Sequence, residues 1–365
     1  MRIRAAVVRK RSSPFAIEEL ELEEPRDDEV LVRIAAVGMC HTDLAMRHGQ
    51  VPCPVVLGHE GAGIVERVGA QVTTASPGDH VVLTFDSCGA CVTCLRGMPA
   101  YCENDLARNF AAARRDGSSS LRRGDEIVHS HFFGQSSFAT YSVAAMRSVV
   151  KVRKDVPIEM LAALGCGLST GAGAVLNSVD PRFRHSIAVF GAGSVGLSAI
   201  MAARLAGYTT IIAIDVRPNR LALACELGAT HAIDSAAVDA VAEVRRITGR
   251  GADYTIEASG RPEGVRQAVD CLAITGVCGV IGGAPPGTEI TLDVNRILFG
   301  RAVRGILRGD SIPDLFIPKL IDLYVSGRFT FDRLITFYPL EQINQAAADS
   351  LNGIAIKPVL RTGLR

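Results

Sequence analysis

Along residues 1–150, short apolar, β-branched runs recur between turn signals: IRAAVV, EVLVRIAAVG, GAGIVERVG, PGDHVVLTF and FATYSV. Each is bounded by Gly, Pro or Asp, which predicts an antiparallel β domain with irregular insertions. From about residue 186 the texture changes. Apolar strands (IAVF, TIIAID, DYTIEA, VCGVIGG) alternate with helical segments at 194–206, 217–228 and 263–273. That rhythm predicts an α/β doubly wound parallel sheet with helices on both faces. Beyond about 307 short mixed elements return, as if the chain rejoined its first domain, and 365 residues suit about two domains.

Two stretches, 160–179 and 186–203, lack charged side chains. The first is broken by four glycines and carries Ser, Thr and Asn; the second contains a glycine motif. Neither reads as a membrane span. The opening MRIRAAVVRKRSS has no apolar stretch of signal-peptide length, so the expected location is cytoplasmic. Hydrophobic content of 48% with 21% charged residues belongs to a globular protein, and a net charge of +1 gives no reason to expect nucleic acid or membrane partners. The polar run 105–130, with Arg108, Arg114, Arg115, Arg122 and Arg123, predicts a solvated loop over an anion site.

Ten cysteines without a secretion signal point to metal or catalysis rather than disulfides. Cys88, Cys91, Cys94 and Cys102 fall within fifteen residues. Short CxxC spacings let one loop wrap a tetrahedral Zn2+ with no open position, which is a structural site. Free surface thiols and an iron–sulfur cluster are the alternatives, and nothing else in the chain suggests electron transfer. A second set is dispersed: Cys40 in GMCHTD, His59 in GHEGAG and Cys166 in GCGLSTG. Singly, each has a bland reading as a buried thiol or a turn histidine. Together two Cys and one His make the three-ligand set of a catalytic zinc with one position open, and Asp43 is placed to orient the His59 ring.

In VFGAGSVG, Gly191, Gly193 and Gly196 follow the strand IAVF and open a helix, with Ser194 and Val195 inside the motif. The first glycine permits a tight turn, the second lets a pyrophosphate approach the backbone, and the third allows close helix–strand packing. The strand TIIAID ends in Asp215, 24 positions after Gly191. An acid there accepts hydrogen bonds from the adenosine ribose and repels a 2′-phosphate, so NAD is expected; the alternative for Asp215 is a helix N-cap before Pro218. Arg217 and Arg220 follow closely and leave some NADP tolerance open.

The ordered set GMCHTD, GHEGAGIVERVG, GDHVV, CGACVTC with Cys102, GCGLSTG and GAGSVG with Asp215 resembles the zinc-containing medium-chain alcohol dehydrogenases over almost the whole chain. HFFGQSSFATY and FYPLEQINQAAADS look most like the bacterial aryl-alcohol (benzyl alcohol) dehydrogenases and related terpene-alcohol enzymes. The resemblance implies a GroES-like β-rich catalytic domain over 1–167, an inserted Rossmann domain over 168–307, a return to the catalytic domain over 308–365, and an active site in the cleft. It implies two zinc ions per chain and NAD, with Cys40, His59 and Cys166 on the catalytic zinc and Glu60 close behind it. Thr42 matches the hydroxyl that bonds the substrate oxygen, Thr170 a residue near the nicotinamide, Arg220 one near the adenosine ribose, and Lys357 a cation near the pyrophosphate. Phe85, Phe132, Phe133 and Leu307 align with the substrate pocket; core packing is the alternative for two of the aromatics. Homo-oligomers are implied, a dimer in preference to a tetramer.

This chain departs from the family twice. Many members follow the first zinc cysteine with Arg, and here His41 stands there, so the pyrophosphate contact is weaker or pH-dependent. The animal enzymes end a proton relay in a His five positions after that Cys; here the residue is Ala45, and His48 is out of register. The expected activity is interconversion of primary alcohols, benzylic or allylic, and aldehydes by hydride transfer. A glutathione-adduct (formaldehyde) dehydrogenase and a catalytically inactive zinc- and NAD-binding relative are the alternatives.

Overall fold

A computed structural model describes residues 1–178 and 185–363. The chain divides into two compact units, Met1–Cys166 with Ile312–Val325 and Asp332–Arg365, and Gly167–Ser311 with Ser326–Phe331.

The first unit is built on the strand Glu29–Gly38, whose near-continuous apolar run is buried. It pairs antiparallel with Gly61–Val68, Tyr141–Ala145 and the C-terminal strand Lys357–Arg361, within a seven-stranded sheet. The register decides where chemistry can gather. Val37 faces Gly61, and the Gly38 N–H donates to Glu60 O at 2.9 Å. Cys40, just past one strand, and His59, just before the other, therefore emerge at the same sheet edge. Gly38 is required there, because a Cβ would collide with the Glu60 carboxylate. A five-stranded sheet that includes Arg2–Val8 and Phe15–Leu22 completes the unit.

The second unit holds six parallel strands in the spatial order His231–Asp234, Thr210–Asp215, Ser186–Phe190, Ala252–Glu257, Leu272–Val280, Ala302–Gly305. This order reverses between the first and fourth strands in sequence, the arrangement of a Rossmann sheet. The helices Ser194–Leu205, Pro218–Leu227 and Pro262–Asp270 fall where the apolar rhythm predicts them. The glycine-rich stretch after Cys166 forms the buried helix Gly167–Leu176. Its glycines serve close packing: a Cβ at Gly171 would fall on the Val195 carbonyl, and one at Gly173 would press on Gly309. No single helix among the described residues is long and apolar enough to cross a membrane.

The run 105–130 is solvated as expected at Arg115, Arg122 and Arg123 but not at Arg108 and Arg114. Arg108 donates to Asp86 at 2.6 Å, Arg123 lies 3.1 Å from Glu18, and Arg115 and Arg122 lie 3.7 and 4.0 Å from Asp28 and Glu23. Arg114 is buried. It grips Glu29 through two hydrogen bonds of 2.7 and 2.8 Å and Glu23 through a third of 2.6 Å. His131 Nε2 completes the network 3.1 Å from Glu29 Oε1. Arg108 and Arg114 stay out of bulk water because each meets a carboxylate from another segment, and a bidentate pair recovers much of the lost hydration, whereas Arg115, Arg122 and Arg123 remain exposed beside their carboxylates.

Burial by itself would raise the Glu29 carboxyl, but hydrogen bonds from His131 and Arg114 hold it at about 2, below its ordinary 4.5. Its contribution to stability is therefore complete above about pH 4.5 and is lost as pH falls towards 2. Glu29→Gln is expected to cost roughly 3 kcal/mol at pH 7. Urea titrations of both proteins should show the gap shrinking by more than about half by pH 3; a gap that does not depend on pH would refute this account.

Candidate active site

The first unit brings Cys40, His59, Glu60 and Cys166 together, with one donor atom from each lying within 4.8 Å of the others. Cys40 caps the helix His41–His48, and Cys166 follows the tight turn Ala162–Gly165. Asp43, sealed from solvent, ties two of these segments: its Oδ2 accepts from the Cys40 N–H at 3.0 Å, and its Oδ1 from His59 Nδ1 at 2.8 Å and the Gly58 N–H at 3.2 Å. With Nδ1 engaged, His59 turns Nε2 into the cluster, where it is buried without a hydrogen-bond partner.

This donor set fits a divalent metal. The hydrogen bond with Cys166 lowers the Cys40 thiol, while the same contact and burial raise Cys166, so the two sulfurs behave as a pair sharing one proton. Burial lowers the His59 imidazole, but the Asp43 carboxylate overcomes it and raises the ring to about 10. A cation seated among these atoms would displace both protons and supply the partner that Nε2 lacks. Thr42 is half-buried on the same helix, beside the exposed His41. His48 is held at the surface, by Ser12 Oγ at 2.9 Å and Arg47 at 3.1 Å.

Lys357 stands in a different place from the one its resemblance implies. It is 1% exposed, and its Nζ donates to Glu60 Oε1 at 2.6 Å and Met39 O at 3.2 Å. With its hydrogens committed inside the protein, it is the counter-ion of Glu60 and offers no open face to a phosphate. Burial pushes Glu60 up to about 6 in spite of this ammonium, and Lys357 is itself raised, against burial, by Glu60. At neutral pH the pair is charged on both sides.

Phe133 stacks on the His59 ring at 4.4 Å, and Phe132 meets it edge-on at 5.7 Å. Phe132 is fully buried and Phe85 lies in the same apolar cluster, whereas Leu307, in the second unit, is 42% exposed. Phe110 is an addition that sequence reasoning missed; it packs on Phe133 at 5.0 Å and Phe132 at 6.2 Å. Its one mark in the sequence is to be the lone aromatic in an arginine-rich run, and nothing local announces its contact with Phe133; it sits on the π-helical turn Leu106–Phe110. Phe133 and His131 hold φ of 54° and 65°, a left-handed conformation that bulky residues adopt only when neighbours enforce it.

Cys88, Cys91, Cys94 and Cys102 place their four sulfurs within 4.8 Å of one another. Backbone N–H groups already point at the sulfurs, from Cys91 to Cys88 at 3.2 Å and from Cys88 to Cys102 at 3.2 Å. The N–H of Ala90 and then that of Cys91 lower Cys88 to about 5, whereas burial and the neighbouring sulfurs push Cys94 up to about 12. All four can ionise together only around a cation.

In the second unit, Gly191 has φ of 91° and a Cβ there would strike the Ala258–Ser259 backbone. A Cβ at Gly196 would fall on the Gly191 carbonyl, while Gly193 faces open space. Ser194 and Val195 begin the helix Ser194–Leu205. Asp215 binds this turn back to its strand: Oδ2 accepts from the Ala192 N–H at 2.7 Å, and Oδ1 from Val216 at 2.8 Å and Arg217 at 2.9 Å. The cap of the helix Pro218–Leu227 is Arg217, so Asp215 is not the capping residue. Arg220 lies 3.8 Å from Asp215, and Thr170 is buried in the helix Gly167–Leu176.

Residues 26–154 match the alcohol dehydrogenase GroES-like domain, and residues 194–326 match the zinc-binding dehydrogenase domain. The chain belongs to the zinc-containing medium-chain alcohol dehydrogenases, enzymes of alcohol oxidoreduction that use zinc and NAD. It is 46% identical to the geraniol dehydrogenase of Castellaniella defragrans over 360 residues, 98% of this chain and 96% of that protein. Among solved structures, benzyl alcohol dehydrogenase from Acinetobacter calcoaceticus is 46% identical, with a TM-score of 0.96 over 99% of each chain. An alcohol dehydrogenase zinc-binding domain protein from Burkholderia ambifaria is 54% identical, with a TM-score of 0.97 over 99% of each chain.

The glycine turn separates folding from cofactor binding. Gly193→Ala meets no protein atom within 4 Å and should leave the melting temperature unchanged while weakening NADH binding, read by nucleotide fluorescence. Equal NADH affinity in this variant would remove Gly193 from the cofactor site.

Proposed function

We propose that this alcohol dehydrogenase acts on primary alcohols with a benzylic or allylic carbon next to the hydroxyl, and on the matching aldehydes. The observation that carries the reading is the stack of Phe133 on His59, backed by Phe132 and Phe110. An uncharged aromatic wall on a metal-ligand ring favours a flat unsaturated group, for which offset and edge-on contacts add to area burial. The relatives named for geraniol and benzyl alcohol support the same class.

In this reading Cys40, His59 and Cys166 hold the catalytic zinc, and the four-cysteine loop holds a structural one. A zinc held there would supply the Lewis acidity that lowers the pKa of the alcohol hydroxyl, and a bound NAD would supply the hydride acceptor. Thr42 holds the substrate hydroxyl by a hydrogen bond and takes its proton outward. Asp43 keeps Nδ1 of His59 as donor, so that Nε2 is the ligating atom. Glu60 and Lys357 add no net charge beneath the cluster. Phe133, Phe132 and Phe85 exclude water, while His41, Gly191, Gly193, Ser194, Val195, Gly196, Asp215, Arg220 and Thr170 serve the cofactor. A glutathione adduct would need arginines of 105–130 open to its carboxylates; Arg108 and Arg114 are committed to Asp86, Glu23 and Glu29, while the exposed Arg115, Arg122 and Arg123 already stand within 4.0 Å of carboxylates of the protein.

Two experiments test this. With NADH absorbance as readout, benzyl and allylic alcohols should exceed ethanol in kcat/KM by at least about tenfold, a difference of ~1.4 kcal/mol, and added glutathione should change nothing; preference for ethanol or polyols would sink the substrate class. Separately, Cys40→Ser should hold one zinc instead of two and abolish turnover with little change in melting temperature, whereas Cys94→Ser should lose the other ion and melt lower. Two zinc ions retained in Cys40→Ser would overturn the ligand assignment.

A further inference from the structure

Gln135 has no part in the chemistry described so far, yet its carboxamide bonds the backbone at His59, at Gly61 and at Thr84. The side chain is 1% exposed. Its Nε2 donates to His59 O and to Thr84 O, both at 2.9 Å. Its Oε1 accepts from the Gly61 N–H at 3.1 Å and from Ser137 Oγ at 2.8 Å. Two donors and two acceptor positions are the full capacity of a carboxamide, and all four are used. Thr84 extends the chain of contacts: its Oγ1 donates to Gly165 O at 2.7 Å, one residue before Cys166. The Gln135 backbone N–H donates to Phe132 O at 3.1 Å, and Ser142 Oγ donates to the Gln135 carbonyl.

We infer that Gln135 is a positioning residue of the metal centre, holding the His59 peptide and, through Thr84, the Cys166 turn at the spacing a bound zinc needs. The inference rests on the reading that Cys40, His59 and Cys166 are the zinc ligands. Asp43 orients the imidazole from Nδ1 but leaves the His59 peptide unanchored on its carbonyl side; Gln135 takes that carbonyl and the N–H of Gly61 two residues on. The same residue follows the left-handed turn at Phe133 and Gly134, so it also sets the ring that stacks on His59. Leucine in its place would leave two carbonyls and one N–H buried and unsatisfied, and glutamate would face two carbonyl oxygens with a negative charge. Asparagine is one methylene too short to span them.

The test uses the zinc-loaded full chain and follows transfer of zinc to a coloured chelator, with the cobalt-substituted visible spectrum as a second readout. Gln135→Leu should release one of the two zinc ions about 10- to 100-fold faster than wild type, leave the other unchanged and shift the cobalt bands. Benzyl alcohol turnover should show a lower kcat along with a raised KM. Release rates and cobalt bands like wild type, with only a lowered melting temperature, would overturn the inference and leave Gln135 a core residue. Should Gln135→Leu not fold, Thr84→Val removes the second link alone and must hasten loss of the same ion; unchanged release overturns the inference equally. Cys40→Ser in parallel separates the two claims. If it still binds both ions the ligand assignment fails; if it loses one while Gln135→Leu behaves as wild type, only the role of Gln135 fails.

Discussion

A carboxylate with no access to water must find its hydration inside the protein, and Asp43 finds it in the two segments that the sheet brings to one edge. It accepts from the Cys40 N–H, the Gly58 N–H and His59 Nδ1, three donors from two stretches of chain. Left unpaired, such a charge would cost several kcal/mol; satisfied in this way, it locks helix start, turn and imidazole into one arrangement. The orientation of His59, its orphaned Nε2 and the nearness of Cys40 to that ring follow from the lock.

The lock works because the backbone around it can come close. Gly38 lies against the Glu60 carboxylate, and Gly165 lies where a Cβ would come within 2.9 Å of Glu60 Cα. Behind the cluster the Glu60–Lys357 pair is buried as two opposite charges in contact, which keeps the desolvated carboxylate from standing alone. Lys357 comes from the C-terminal strand, paired with Glu29–Gly38 in the register Val359 to Gly38. The last part of the chain thus reaches the chemistry through sheet pairing.

Around this polar centre the protein sets an aromatic wall on a strained turn. Phe133 keeps a positive φ because the turn is held from several sides, by Ser136 Oγ on the Phe132 N–H at 3.0 Å and by the Gln135 network. The network of Glu29, Arg114 and His131 braces the same turn from its N-terminal side and joins it to the central strand. The cysteine–histidine cluster and the aromatic wall are therefore two faces of one hydrogen-bonded frame.

The rhythm of apolar runs was enough to read the parallel sheet and its helices, because strand and helix periods are local properties of the chain. Four cysteines within fifteen residues were legible for the same reason: a loop that short can bring its own sulfurs together. The glycine turn with Asp215 was legible because strand, turn and helix follow one another directly. Contacts between distant segments had no such local signature. Lys357 opposite Glu60, Arg114 gripping Glu29, Phe110 behind Phe133 and Gln135 bridging His59 and Thr84 are set by strand register and by the need to satisfy buried polar groups. Sequence by itself determined which elements form and which ligands are near neighbours in the chain. Which charges are buried together, and so which arginines and lysines are unavailable to a ligand, was decided only when the sheets closed, because desolvation is a property of the packed interior and not of spacing.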